Sequence, residues 1–339
     1  MSAPVTGFEL YLKNNYRRVD KHLATYFADG GHRDMGRYLY GPLTEYTANG
    51  GKRHRPLICM LACEAVGGSP DRAMRAGAAI EHFHTAALIH DDIEDGADTR
   101  RGEPAMHVKL GIPLAINAGD LALSLVTGSV VTDPDLDAET KIAVLAELID
   151  MTTRTIEGQA LDIGWAGDGR FDISVEDYLF MAAHKTAYYS GGMPLAIGAI
   201  IGGADHDTTE ALRAFGMAAG LAFQIQDDLI NLVGSDKSKD FRIDITEGKR
   251  TLVVVHALAN AEPTVRARLL EILGARTDDA SLLAEAVAIM EHVGSVDYAR
   301  EYALAMVTDA KAALSAALPK SKARDLLLGM ADFFVARQS

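Results

Sequence analysis

"MRAGAAIEHFHTAALIHDDIED", residues 74–95, decides the fold. Apolar side chains recur in it at three- and four-residue spacing, the period of one helix face, until the run ends in four carboxylates: Asp91, Asp92, Glu94 and Asp95. The same periodicity returns in "PLICMLACEAVG" (56–67), "ETKIAVLAELIDMTTRTIEG" (139–158) and "TEALRAFGMAAGLAFQIQDDLINLVG" (209–234). Alternation of period two is sustained nowhere outside "TLVVVHAL" (251–258), which itself reads as helix. The chain is therefore expected to be all-α. Because several helices are apolar nearly all round, a single large bundle with a central layer is expected.

Helix breaks fall at Gly50-Gly51, Gly67-Gly68-Ser69-Pro70, Gly111, Asp133-Pro134-Asp135, Gly167-Asp168-Gly169 and Gly202-Gly203. None is long enough for an interdomain linker, so one domain is expected over residues 1–339, with a motif core at 50–251 and peripheral helices at 1–40 and 260–339. With 48% hydrophobic residues, the chain can bury a sizeable core.

Thirty-three basic against forty-seven acidic residues give a net charge of -14, a field that repels nucleic acid and anionic membrane surfaces. The two cysteines, Cys59 and Cys63, supply neither a disulfide framework nor a four-ligand zinc site and read as small core residues. The N-terminus lacks a basic region followed by an apolar one, so a cytoplasmic location is expected. The one membrane-like stretch, residues 186–204, is uncharged but carries five glycines and a proline; a buried helix packed through small residues explains it better, and no integral membrane segment is expected.

Asp91 and Asp95 are four apart and share one helix face, with Asp92 and Glu94 to the sides. Like charges at that spacing repel, and beside apolar surface they need a cation; oxygen-only ligands select a hard ion such as magnesium. A lone acidic quartet would read as a solvated helix end. A second cluster changes that: "FQIQDDLIN" (223–231) again ends an apolar helix in paired aspartates, Asp227 and Asp228, with Asn231 four residues past the first. Two such helices suggest two walls of one cavity, with metal between them bridging to phosphate oxygens.

Cations flank both clusters. Arg100 and Arg101 follow the first; Lys239, Lys249 and Arg250 follow the second; "GGKRHRP" (50–56) and Lys185 lie upstream of one or the other. Arginine forks and lysine point charges beside metal-binding carboxylates are what a diphosphate requires.

In "GGKRHRP", "HTAALIHDDIED", "DTRRGEP", "GQALD", "HKTAYYSGGMP", "FQIQDDLIN" and "DITEGKRT", which together span Gly50 to Thr251, the chain resembles the trans-isoprenyl diphosphate synthases, the head-to-tail prenyltransferases. That resemblance implies a helical bundle of the isoprenoid synthase type with a central active-site cavity, and condensation of isopentenyl diphosphate with an allylic diphosphate (dimethylallyl, geranyl or farnesyl) through magnesium-assisted ionisation, with diphosphate released, in a homodimer. It also implies roles. Asp91 and Asp95 would ligate two of three Mg2+ ions with Asp92 in support, and Asp227 the third with Asp228 close by. Arg100, Lys185, Lys239 and Lys249 would hold the allylic diphosphate; Lys52, Arg55, His84 and Arg101 would hold that of isopentenyl diphosphate. Thr186 and Gln224 would aim oxygen dipoles at the developing carbocation.

The family's second acidic motif usually ends in aspartate, whereas this chain has Asn231, as do some geranylgeranyl diphosphate synthases. Ala86 and Ala87, five and four residues before Asp91, leave room for a product longer than fifteen carbons; Phe83, one turn further, is the candidate stop, which suggests geranylgeranyl diphosphate. A farnesyl or longer-chain synthase is the alternative on product. A terpene cyclase would not need the second set of cations, and a non-catalytic partner subunit would not need an intact first cluster. A histidine-aspartate phosphohydrolase at His90-Asp91 would leave the second cluster without a use.

Overall fold

The computed structural model describes residues 7–27, 31–234 and 242–336. It is helical, as the periodicity requires. The helices are α1 (Gly7–Leu23), α2 (Gly41–Ala48), α3 (His54–Ala65), α4 (Met74–Glu94), α5 (Met106–Leu110), α6 (Ile112–Val131), α7 (Ala138–Gly167) and α8 (Val175–Ala182). A π-helix, Ala183–Gly192, follows, then α9 (Met193–Gly202), α10 (His206–Val233), α11 (Ile243–Glu247) and α12 (Leu252–Asn260). Four more close the chain: α13 (Pro263–Ala275), α14 (Ala280–His292), α15 (Ser295–Ala317) and α16 (Lys322–Val335). Most boundaries coincide with the glycine and proline breaks. Gly111, for example, takes φ 84° between α5 and α6, a conformation closed to most side chains.

Packing divides the chain into two compact units. The first comprises Met1–Thr152, Met193–Leu212 and Leu318–Gly329. Its centre is α3, whose residues from Leu57 to Cys63 have no exposed surface, packed between α4 and α9. Full burial of each large apolar side chain there contributes about 1.5–3 kcal/mol. α4 in turn lies along α6. Both cysteines are buried, and burial raises the Cys63 thiol to about 11, which keeps it unreactive.

The second unit comprises Thr153–Gly192, Arg213–Ala317 and Met330–Ser339. Within it α12, the "TLVVVHAL" segment, packs on α8 and α15 with Leu252, Val253, Val254 and Val255 buried. Its start is fixed by Thr251, whose hydroxyl accepts from the Val254 amide.

Three features depart from the sequence expectations. A two-residue antiparallel ribbon, β1 (Thr99–Arg100) with β2 (Glu103–Pro104), stands where only helices were expected. Residues 186–204 are not one helix: the stretch is divided between the π-helix and α9, because the wider turn of a π-helix ends the regular ladder. The one described helix long and apolar enough to cross a membrane, judged by length and composition, is instead α6, with 39% of its apolar window buried.

Candidate active site

In the first unit the acidic cluster is built by the C-terminal end of α4. Asp91 is half-buried, Asp92 fully buried, and Asp95 exposed just past the helix, its amide bonded to the Asp91 carbonyl at 2.9 Å. The "DTRRGEP" ribbon folds back onto this end. Arg100 pairs with Glu103 across the ribbon, leaving Arg101 (φ 56°) and Gly102 (φ 79°) as a two-residue turn. Positive φ at both turn residues matches the right-handed twist of two strands, and it sends the two arginines different ways. Arg100 Nε donates to Asp92 Oδ1 at 2.6 Å, and its Nη2 lies 3.6 Å from Asp91 Oδ2. Arg101 donates to the carbonyls of Gly50 (2.9 Å) and Asn49 (3.3 Å), the loop of "GGKRHRP".

Burial pushes the Asp92 carboxyl up while Arg100 opposes that shift, and the buried Asp92 Oδ2 has no hydrogen-bond partner. Burial first, then the positive charges of Arg55, His54, Arg101 and Arg53, hold the His84 imidazole far below its ordinary value. His84 is therefore neutral, and of the cations expected to serve one diphosphate Arg55 and Arg101 act on it. Lys52 is exposed on the same loop and Arg55 is buried in the first turn of α3. A cavity of about 470 Å3 in this unit is lined by Arg100, Arg101, Lys109, Tyr46, Met106 and Leu110 among others, but not by Lys52, Arg55 or His84. Ala86 is wholly buried in an apolar cluster with Leu43, Ile89, Met106, Ala115, Ala118 and Ala122; Ala87 is partly accessible, and Phe83 is buried.

In the second unit a cavity of about 220 Å3 gathers Asp162, Asp227, Asp228, Asn231 and Asp244 with Lys185, Thr186, Gln224, Lys249 and Arg250. Here the "GQALD" turn acquires its meaning. At Gly158 a Cβ would lie 2.2 Å from the Lys185 amide nitrogen, so only glycine lets α7 approach the π-helix this closely; one turn on, Asp162 forms an ion pair with Lys185. A polar chain crosses the cavity: Thr186 donates to Gln224 Oε1 (2.6 Å), Gln224 Nε2 to Asp228 Oδ1 (2.7 Å), and Tyr178 to Asp228 Oδ2 (2.8 Å). Tyr178 is fully buried, and burial followed by the Asp228 charge raises its phenol well above the ordinary value, so it stays the donor.

Lys249 lies 2.7 Å from Glu247 and 3.6 Å from Asp244. Asn231 Oδ1 accepts from the Asp244 amide at 3.2 Å, so the neutral side chain ties α10 to the start of α11. Burial raises the carboxyls of Asp228 and Asp244, and each is raised further by neighbouring carboxylates. Lys239 lies outside the described residues.

The donor sets fit a hard divalent ion. Every candidate ligand is an oxygen, neighbouring carboxylates add to the burial that raises Asp228 and Asp244 even though Tyr178, Gln224 and Lys249 oppose it, and Asp92 keeps an unpartnered oxygen. Among the described residues no three acidic, histidine or cysteine side chains close on one point.

Residues 37–290 match the polyprenyl synthetase family model. The chain belongs to the polyprenyl synthetase family. It is a trans-prenyltransferase by class. The short chain isoprenyl diphosphate synthase of Methanothermobacter thermautotrophicus is 43% identical over 85% of this chain and 87% of its own length. The geranylgeranyl pyrophosphate synthetase of Pyrococcus horikoshii Ot3 superposes with a TM-score of 0.89 at 36% identity, over 97% of this chain and 98% of that one. The polyprenyl synthase of Caulobacter crescentus CB15, solved in complex with calcium and isoprenyl diphosphate, superposes with a TM-score of 0.86 at 28% identity over 100% of both chains.

Sequence reading missed three residues of the second cavity. Asp162 and Asp244 lay inside quoted motifs without a role; each is the lone aspartate of its motif, which was the available signal. Tyr178 sits in an apolar helix, and nothing local marks it.

Proposed function

We propose that this prenyltransferase condenses isopentenyl diphosphate with an allylic diphosphate and that its main product is geranylgeranyl diphosphate. The observation that carries the reading is the second cavity, where two paired aspartates, two lysines and the Thr186–Gln224 pair line one space. The names of the relatives from Methanothermobacter and Pyrococcus support the substrate class.

In this scheme Asp91, Asp95 and Asp227 would hold magnesium, three ions to each site, with Asp92 and Asp228 behind them. Held there, magnesium would supply positive charge against the departing diphosphate. Arg100, Lys185, Lys239 and Lys249 bind that diphosphate while the allylic carbon–oxygen bond breaks and the electron pair leaves with oxygen. Lys52, Arg55 and Arg101, with neutral His84 as a hydrogen-bond donor, fix the diphosphate of isopentenyl diphosphate. Its double bond attacks the allylic cation, a carbon–carbon bond forms, and the proton passes to the released diphosphate. The Thr186 hydroxyl oxygen, oriented by its donation to Gln224, and the Gln224 amide dipole stabilise the cation. Chain length is set along α4 at Ala87, the accessible one of the two alanines, with Ala86 packed behind it in the apolar cluster and Phe83 as the stop.

We also propose a homodimer through α6 and α7. Ile142, Ile149, Ile156 and Ile163 are all exposed, at 69, 60, 59 and 43%, and their seven-residue spacing makes one apolar stripe along α7; Ile112, Ile116 and Val131 are exposed on α6. A second copy covers these better than water does, and the same burial accounts for the apolar character of α6.

The test is incubation of the purified protein with isopentenyl diphosphate, magnesium and each of the dimethylallyl, geranyl and farnesyl donors, followed by chromatography of the dephosphorylated products. A twenty-carbon alcohol is expected; no condensation with any donor would sink the proposal.

A further inference from the structure

The loop from α2 into α3 ends at Arg53, a residue for which the diphosphate scheme has no use. Its backbone is left-handed (φ 49°, ψ 33°), a conformation that a non-glycine residue keeps only when its surroundings impose it. Its side chain, 2% exposed, is held from three helices. Nε donates to Asp20 on α1 at 2.7 Å, Nη1 to Glu81 on α4 at 2.7 Å, and Nη2 to the Thr47 carbonyl on α2. Glu81 is itself buried, with 4% of its side chain exposed.

The loop rests on this guanidinium. Gly51 (φ 123°) lies so close that a Cβ would come within 3.0 Å of Arg53 Nη1, and Arg101 holds the Asn49 and Gly50 carbonyls. The Arg53 carbonyl accepts from the Leu57 amide at 3.2 Å and so begins the ladder of α3. A buried ion pair adds little net stability compared with apolar residues of the same volume; its better-attested use is to select one geometry. Here that geometry belongs to a loop with Lys52 immediately before Arg53 and, two residues after it in the first turn of α3, Arg55, whose charge acts on the neutral His84.

We infer that Arg53 is a positioning residue for the isopentenyl diphosphate site. It touches no substrate; its guanidinium, anchored by Asp20, Glu81 and the Thr47 carbonyl, sets the backbone from which Lys52 and Arg55 reach the diphosphate. The inference rests on the condensation reading above. Sequence alone does not separate Arg53 from the other cations of "GGKRHRP"; its left-handed backbone and the three partners of its guanidinium do.

The test compares wild type, Arg53→Lys and Glu81→Gln, with isopentenyl diphosphate and geranyl diphosphate varied separately and isopentenyl diphosphate binding measured by calorimetry. Lysine keeps the charge but cannot donate as a rigid fork in three directions. Arg53→Lys should raise KM and Kd for isopentenyl diphosphate about tenfold, and Glu81→Gln about threefold, while KM for geranyl diphosphate and kcat at saturation stay within about twofold. Equal rises in both KM values, or no rise in either, would overturn the inference. Glu81→Gln leaves two of the three anchors and carries the comparison if Arg53→Lys fails to fold. A wild-type protein that binds isopentenyl diphosphate but forms no product overturns the condensation reading alone.

Discussion

Replacing Gly158 with alanine tests whether the "GQALD" turn delivers Asp162 to Lys185. A Cβ at 158 would lie 2.2 Å from the Lys185 nitrogen, 2.7 Å from its Cα and 2.8 Å from the His184 carbonyl carbon. All three are backbone atoms, so no rotamer change relieves the contact. Ordinary carbon contacts begin near about 3.5 Å, so α7 and the π-helix must part by roughly 1 Å. Two effects oppose one another. Alanine is favoured over glycine inside a helix by roughly 1 kcal/mol, whereas overpacking costs about 1–3 kcal/mol. Contact with rigid backbone puts the cost at the upper end, so a net loss of about 1–2 kcal/mol is expected in urea unfolding. Turnover should suffer more, because Asp162 lies one turn along the same helix and moves with it. A displacement of about 1 Å can cost as much as a hundredfold in rate. Steady-state assays with the allylic donor varied measure this directly. An alanine variant as stable as wild type, with kcat/KM within about threefold, would refute the reasoning.

Three further expectations follow from particular environments. Burial, with the charge of His22 added, lowers the His82 imidazole from 6.5 to about 3; its ring sits edge-on to those of Tyr26 and Phe27. The folded state thus refuses a proton that the unfolded state accepts, so stability is complete above pH 6.5 and is lost toward pH 3, by about 2 kcal/mol at pH 5. In His82→Leu the drop in urea stability between pH 7.5 and 5 should shrink by that amount; an unchanged drop would assign the proton elsewhere. Ala87→Phe should shorten the product, whereas Ala86→Phe, at a site with no free surface, should mainly cost about 1–3 kcal/mol of stability; an unchanged product from Ala87→Phe moves the floor elsewhere. Ile149→Asp, in the middle of the α7 stripe, should convert a dimer to monomers in light scattering, and an intact dimer would place the interface on another face.

Much of the fold was legible because helical periodicity is local. Apolar positions three and four apart mark helices at α3, α4, α7 and α10 without reference to any other segment. The π-helix at Ala183–Gly192 was not legible, since apolar spacing does not distinguish its widened turn and its contact with Gly158 comes from another helix. The β-ribbon escaped notice because two residues per strand are too few for a period-two pattern; the only cue was the glycine of "RRGEP".

The same division holds for the site. The sequence by itself determined which residues carry charge, in what order, and that two acidic clusters end apolar helices. Only tertiary structure decided how each charge is paired. Arg100 turns to Asp92, Lys185 to Asp162 across 23 positions, Tyr178 to Asp228 across 50, and Arg53 to Glu81 across 28. Spacing along one helix cannot encode such pairs, because they exist only once separate helices pack. Packing also sets the burial that raises Asp228 and keeps His84 neutral, and with it the difference between a charge that binds substrate and one that holds the loop beneath it.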